Sequence, residues 1–383
     1  MNLQEIRKEI DEIDSKISEL FAKRMECSKK VAEYKLENGM SIFNPEREMQ
    51  VLDSVEKRSG EYGAYARRLY SEIMELSRSL QHDMLNSGSD LRNDILSALK
   101  EIPYDSKDVR IACFGVPETY THSACRKLFP NAEPEFYPTF RELFKAVQSD
   151  KAQFGIVPIE NSSAGSVAEV YDLMLKYRFY IAASTELPVD HCLAALKGTK
   201  PEDIKKVLSH GQALYQCSEY ITSHGLEQEQ CKSTAAAANL VSQSGDNTIA
   251  AICSEDAAKR CGLEIILRDF RNDPHNTTRF IVISKKLYIE DSADKISLCF
   301  ALPHVTGSLY TVLCRFAVNG LNLTKIESRP KPATEFEYLF YLDFDGTTKT
   351  DSIISLICAL SNELTDFSFL GNYQRSASAV NLA

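Results

Sequence analysis

The 383-residue sequence has no tryptophan, and that absence by itself excludes nothing. Other absences exclude more. None of the 11 cysteines stands in a C-x-x-C pair, and no Cys/His spacing fits a zinc site. Their odd number and wide scatter, from Cys27 to Cys358, fit reduced, buried thiols rather than a disulfide framework. His122, His191, His210, His224 and His275 have no ligand spacing, so no metal is expected. Neither G-x-G-x-x-G nor a P-loop occurs, so no dinucleotide or nucleoside triphosphate site is expected, and without G-x-S-x-G there is no nucleophile elbow. No basic stretch goes beyond paired residues and the net charge is −10. That argues against nucleic acid or an anionic membrane surface as partner. No apolar run approaches the ~20 residues of a membrane span. The opening MNLQEIRKEIDEID is charged and helical at once, unlike a signal peptide, and a cytoplasmic protein is expected.

What is present is ordinary globular material, 44% hydrophobic and 26% charged, in a length that suggests two to four domains. Residues 1–88 have a purely helical rhythm, 89–107 read as a linker, 108–286 alternate β-rich and helical runs, and 295–383 read as a separate α+β unit.

The first helix carries the stripe Leu3, Ile6, Ile10, Ile13, Ile17, Leu20, Arg24, Cys27, Val31. Steps of three and four keep these on one face, over a helix of roughly 50 Å. Asn44-Pro45-Glu46 starts a second helix, with Asn as N-cap and Pro at the first position. A third spans about 64–85. Three helices with so long a first member make a thin monomer, so an intertwined dimer is expected.

Several polar residues stand where apolar ones belong. Arg24 interrupts the stripe, Lys35 projects close to its direction, and Arg7 flanks it. Arg47 and Glu48 open the second helix, where an arginine opposes the helix dipole. Ser77 and Gln81 form an i,i+4 pair on the third. Some have a plain structural reading: Arg24 snorkelling or meeting a carboxylate such as Glu48, Ser77 and Gln81 solvated. Together they describe a dry cationic cavity with no nucleophile–base pair, suited to a small dianion whose reaction needs binding and electrostatics alone.

Arg7, Arg24, Lys35, Arg47, Glu48, Ser77 and Gln81 resemble the all-helical chorismate mutases in spacing, over residues 3–85. The resemblance implies rearrangement of chorismate to prephenate. Arg7 would reach the partner subunit's site and, with Arg24, hold carboxylates. Lys35 and Gln81 would donate to the ether oxygen, Glu48 would accept from the ring hydroxyl, and Ser77 and Arg47 would complete the carboxylate contacts. Asn44 stands where many relatives carry Asp, so it can hydrogen-bond without adding charge.

From residue 109 the βαβ rhythm predicts parallel sheets covered by helices, in two lobes with a cleft. Loops at 119–123, 161–166, 209–212 and 233–234 are rich in Ser, Thr, Asn and Gly. Each alone reads as a helix cap; together they suggest a carboxylate cradle. Pro158–Ser162 (PIENS) with Gly165-Ser166-Val167, and Asn276-Thr277-Thr278-Arg279-Phe280, resemble the prephenate dehydratases, and SHGQAL (209–214) and STAAAA (233–238) agree in order. The resemblance implies loss of carbon dioxide and hydroxide from prephenate to give phenylpyruvate. Thr278 would be catalytic, and Thr121, Asn161, Ser162, Ser166, Thr234, Arg279 and Phe280 would bind substrate. Whether a hydroxyl as weakly acidic as Thr278 donates the proton or positions a donor stays open. Glu118 stands where relatives commonly have Gly; it reads as an added acid or, the favoured reading, as a loop residue facing water.

The last region reads βαββαβ, a ferredoxin-like order. Gly307-Ser308-Leu309 and Glu327-Ser328-Arg329-Pro330 resemble the amino-acid-binding ACT domain, implying L-phenylalanine as effector held by Gly307, Ser308, Leu309, Asn322, Leu323, Glu327, Ser328, Arg329 and Pro330.

The fold class expected is thus multidomain: an all-α three-helix mutase region, an α/β two-lobed periplasmic-binding-protein-like dehydratase region, and an α+β ferredoxin-like ACT region. The three resemblances together imply an even homo-oligomer that converts chorismate and prephenate without a cofactor. A non-enzymatic amino-acid sensor explains the lobes, regulator and bundle, but not Arg24 and Lys35 on an apolar seam. An idle mutase region, or a preference for arogenate, also stays open at the level of sequence.

Overall fold

A computed structural model describes residues 2–85, 90–273, 275–331 and 337–376. The chain divides into two compact units: Met1–Ala98 with Ile296–Phe369, and Leu99–Lys295 with Leu370–Ala383.

Helix α1 (Leu3–Glu37) starts at a capping box, in which Asn2 and Glu5 satisfy each other's backbone N–H. Helix α2 (Pro45–Arg58) starts as the sequence predicts, with the Asn44 side chain accepting from Arg47 N at 3.0 Å. Helix α3 (Gly63–Leu85) packs on both. On α1, Ser28 and Ala32 are buried, whereas Ile10, Ile13 and Ile17 are 49%, 47% and 55% exposed. The N-terminal half of the seam is therefore uncovered within one chain.

The expected linker is more ordered than its polarity suggests. Its opening residues 86–89 lie outside the described residues. Beyond them α4 (Asp90–Leu96) forms and buries Ile95. Farther on, Leu99 N donates to Leu287 O and Tyr104 Oη donates to Glu290 at 2.8 Å. The apolar residues scattered among the polar ones find cores to enter.

The second unit begins with β1 (Ile111–Phe114), α5 (Tyr120–Leu128), β2 (Glu135–Tyr137), α6 (Phe140–Gln148), β3 (Phe154–Asn161), β4 (Gly165–Ser166), α7 (Ala168–Tyr177) and β5 (Tyr180–Pro188). The chain then crosses to a second lobe: β6 (Cys192–Ala195), β7 (Lys206–His210), α8 (Gly211–Gln216), α9 (Ser218–Ser223), β8 (Glu227–Cys231), α10 (Thr234–Ser244), β9 (Ile249–Cys253), α11 (Glu255–Arg260) and β10 (Glu264–Arg268). It returns as β11 (Thr277–Ser284), which pairs antiparallel with both β3 and β5.

The sheet orders are β2-β1-β3-β11-β5, with β4 on β3, and β10-β6-β9-β7-β8. The sheets are mixed, not parallel as the alternation predicts. The crossing strands cause this: a chain that leaves a sheet and comes back from the other lobe re-enters it reversed. Each lobe has its own core, around Phe154, Ile156 and Phe280 in the first and Val207, Ala237 and Ile252 in the second.

The C-terminal part runs β12 (Lys295–Leu302), α12 (Ser308–Val318), β13 (Leu323–Pro330), β14 (Tyr338–Asp345), α13 (Asp351–Glu363) and β15 (Thr365–Tyr373), with sheet order β13-β14-β12-β15. This is the ferredoxin-like order predicted. All residues of β12 are buried, whereas β13 alternates half-buried and exposed, as an edge strand does.

Candidate functional site

A cavity of about 370 Å³ lies among α1, α2 and α3. Arg24, Lys35, Asn44, Arg47, Glu48, Ser77 and Gln81 all line it, so seven of the eight helical candidates converge. The eighth, Arg7, is exposed on the uncovered half of α1 and does not reach it. Arg24 Nη1 donates to Ser77 Oγ at 2.5 Å and reaches Ile73 O at 3.5 Å. Among the described residues Arg24 meets no carboxylate, Glu48 included. Among the described residues neither Arg24, Lys35 nor Arg47 is ion-paired. Lys35 donates to Ile42 O. Burial lowers the Lys35 pKa; Glu48 partly restores it and Arg78 lowers it further. Gln81 Nε2 donates to Ser77 O at 3.1 Å, and its buried Oε1 has no partner among the described residues.

Sequence reasoning missed Arg78. It is 8% exposed, lines the cavity, and grips both oxygens of Glu48 while also pairing with Glu75. Burial would lower its pKa, but Glu75 and Glu48 raise it well above the usual range, so it is charged at any working pH. Its position, one residue past Ser77 and beside an apolar stripe, reads as an ordinary solvated arginine. The cavity thus holds one balanced ion pair and three uncompensated cations, which favours a dianionic guest.

In the second unit, Asn161 ends β3 opposite Thr278 on β11. Its Nδ2 donates to Asn276 Oδ1 at 2.7 Å and to Thr278 Oγ1 at 2.8 Å, while its Oδ1 accepts from the backbone of Ser163 and Ala164. Gln216 Nε2 donates to Ser163 Oγ at 3.2 Å, and Gln216 Oε1 meets His191 Nε2 at 3.1 Å. Burial is the main cause holding the His191 pKa down to about 4, so the ring is neutral near pH 7 and its Nε2–H is the donor to Gln216. Tyr120 Oη stands 3.2 Å from His191 Nδ1. Gln216 is a cluster member that the sequence reading does not single out; Tyr120 and Ser163 fall inside the loops 119–123 and 161–166 without being named there, and His191 is read only as lacking a metal-ligand spacing.

Other candidates lie elsewhere. Ser162 Oγ accepts from Thr277 N at 3.0 Å, beside the cluster, and Ser166 on β4 lies in register with Glu160 on β3. Thr121, buried in the first turn of α5, and Thr234, first in α10, share no hydrogen bond with the cluster. Arg279 lies opposite Glu160 and pairs with it at 3.1 Å, away from Thr278 because side chains alternate along a strand. Phe280 follows a bulge and is buried in the lobe's core, so its expected place against substrate is not what the structure shows. A second cavity, of about 600 Å³, is lined by Glu118, Ser233, Asn239 and Arg260 and does not include Thr278. Glu118 does not face water as expected. Its φ is +66°, its side chain is 13% exposed, and Arg126 holds both its oxygens at 3.0 and 3.1 Å. The left-handed backbone explains why a glycine suits the position.

In the C-terminal part a cavity of about 310 Å³ is lined by Leu302, His304, Ser308, Leu309, Ser328 and Phe340, among others. Gly307 has φ +89° and caps α12 there. Strand alternation places Ser328 in the lining but not Glu327 or Arg329; Pro330, Asn322 and Leu323 are likewise outside it. Asn322 instead donates to Asp345 at 2.9 Å. Among the described residues no helix is long and apolar enough to cross a membrane.

A cationic, apolar-walled helical cavity in one unit and a hydroxyl and amide cluster in the other are the features of an enzyme of small carboxylate substrates, on a chain that also carries a ferredoxin-like region. The chain belongs to the bifunctional chorismate mutase/prephenate dehydratase family. The chorismate mutase type II model matches residues 6–82 and the prephenate dehydratase model residues 111–287. The bifunctional chorismate mutase/prephenate dehydratase of Aquifex aeolicus is 30% identical over 98% of both chains. An arogenate dehydratase/prephenate dehydratase of Arabidopsis thaliana is 39% identical over 63% of this chain and 66% of its own length. The crystal structure of a prephenate dehydratase from Arthrobacter aurescens in complex with L-Phe superposes with a TM-score of 0.64 at 28% identity, over 72% of this chain and 94% of that one.

Proposed function

We propose that the chain rearranges chorismate to prephenate in the helical cavity and then converts prephenate to phenylpyruvate in the two-lobed unit. The observation that carries this is the set Arg24, Lys35 and Arg47, three cations without carboxylate partners among the described residues, converging with Glu48 on one cavity. In the rearrangement, negative charge grows on the ether oxygen as its bond breaks. Lys35 and Gln81 stand in the same cavity as the carboxylate-binding arginines, so donors wait where that charge develops. No covalent step is needed, and none of the lining residues forms a nucleophile–base pair.

In the second reaction the leaving hydroxyl must take up a proton as carbon dioxide departs, and aromatisation drives the step. Thr278 Oγ1 accepts from Asn161, so its own O–H is left to donate to the leaving hydroxyl or to position the donor. His191 is neutral and tied to Gln216, so it supports the cluster without supplying a proton at neutral pH. The 310 Å³ cavity of the C-terminal part would take L-phenylalanine as feedback effector. The Arabidopsis relative favours a second substrate, arogenate, for the two-lobed site, and competition between arogenate and prephenate at fixed enzyme measures that preference.

The working form is a homodimer or higher even oligomer in the cytoplasm. The exposed α1 seam supports it, since a second copy would cover Ile10, Ile13 and Ile17 and bring its Arg7 to the cavity.

Lys35→Ala is expected to lower mutase kcat/KM by about 10²–10³-fold while leaving dehydratase turnover of added prephenate within twofold. Thr278→Val is expected to do the reverse, with a loss of about 10²–10⁴-fold in dehydratase kcat. Separate steady-state assays of chorismate loss and phenylpyruvate formation read both. Loss of both activities in either variant would contradict two independent sites.

A further inference from the structure

Arg315 lies on α12, in the ferredoxin-like part, and is 7% exposed. Its guanidinium ion-pairs with Glu75 on α3 and with Glu363 at the end of α13. Glu75, also 7% exposed, pairs on its other oxygen with Arg78, and Arg78 holds Glu48. His82, 3% exposed, closes the series on Glu363. Burial pushes the Glu363 carboxyl up, but His82 and Arg315 more than offset it and bring it to about 2. Six side chains from four helices thus run in one line, four of them buried and Glu48 and Glu363 partly so, all within one compact unit. At one end is a carboxylate that lines the 370 Å³ cavity. At the outer edge of the same contact, Tyr310 Oη donates to Glu72 at 2.6 Å and accepts from Arg68 at 3.2 Å.

A buried charge is tolerated only with its partner in place, so each member fixes the next. Arg78 has two anchors, Glu48 and Glu75, and Glu75 takes its second cation from Arg315. We propose that Arg315 is a positioning residue for the chorismate rearrangement: through Glu75 and Arg78 it sets where the Glu48 carboxylate stands in the cavity. The inference rests on reading that cavity as the mutase site. It makes the mutase depend on a residue of the regulatory region that touches no substrate. The helix that carries Arg315 also supplies Ser308 and Leu309 to the 310 Å³ cavity two turns earlier, so the line and the effector cavity share one rigid element.

The test is steady-state kinetics of the full chain, with chorismate and prephenate assayed separately. Glu48 is placed to hold a group present in substrate and transition state alike. Arg315→Gln is therefore expected to raise mutase KM about tenfold while kcat falls less than threefold. Dehydratase constants are expected within twofold of wild type, and Arg315→Lys, which keeps the charge, to bring mutase KM back to within threefold. A purely structural role would instead lower the folded fraction, reducing kcat of both reactions with KM unchanged, and that result overturns the proposal. If Arg315→Gln does not fold, Glu75→Gln with Arg315→Gln removes both charges together and is read in its place, with the same rise in mutase KM expected. An active wild type whose variants keep wild-type mutase KM overturns the positioning role alone. A wild type that leaves chorismate untouched overturns the functional reading, and this role with it.

Discussion

His191 shows how much a single side chain's surroundings decide. Its ring sits between Gln216 and Tyr120, and burial, its largest influence, lowers its pKa to about 4. The unfolded chain takes up that proton near pH 6.5, the folded chain only near 4. The ring's contribution to stability is therefore fully present above about pH 6.5 and is lost as pH falls through that window. The loss is about 3 kcal/mol. Urea unfolding at pH 7 and at pH 4.5 is expected to show most of it in the wild type and little in His191→Gln; equal pH dependence in the two proteins would contradict the buried neutral ring. At this scale, the sequence was informative wherever a polar residue broke an apolar pattern, as Arg24, Lys35 and Ser77 do. It was uninformative about Arg78 and His191, whose roles depend on partners from other elements. Phe280 and Arg279 show the converse: a motif names neighbours in sequence, but strand alternation sends them to different faces.

Among elements, α1 makes the strongest demand on a partner. Ile6, Ile10, Ile13, Ile17 and Leu20 are 39–63% exposed along its N-terminal half. Scattered exposed leucines are unremarkable, but a continuous stripe of five on one helix face is a surface waiting to be covered. Ile10→Asp with Ile17→Asp places two charges on that stripe. Sedimentation is expected to show the variant as a monomer at concentrations where the wild type is a dimer. Mutase kcat/KM should fall more than tenfold if a second copy delivers its Arg7 as proposed, and dehydratase activity should be retained. A variant that sediments like wild type would contradict the dimer. The helices and the βαββαβ order were legible because their periodicities are long and their caps local. The mixed sheets were not. Alternation of strand and helix looks the same whether a strand enters its sheet forwards or, like β11, from a neighbouring lobe in reverse. The ordered α4 was hidden by the polar residues around Ile95.

The whole molecule carries two sites of different chemistry on one chain: a cavity and a side-chain cluster. One is walled by helices and electropositive, fit for a rearrangement driven by electrostatics. The other site is a hydroxyl and amide cluster where two lobes exchange strands, fit for moving one proton onto a leaving group. The ferredoxin-like part packs against α3 of the helical region through buried charges, which ties the 370 Å³ cavity to the ferredoxin-like part within one unit. The measurement that tests this account most directly is a single-vessel reaction of the purified full chain with chorismate and no added metal, following chorismate, prephenate and phenylpyruvate together, with and without L-phenylalanine. The account predicts that prephenate rises first, that phenylpyruvate follows and accumulates, and that L-phenylalanine slows its formation. Chorismate left unchanged by a folded wild-type chain would contradict it.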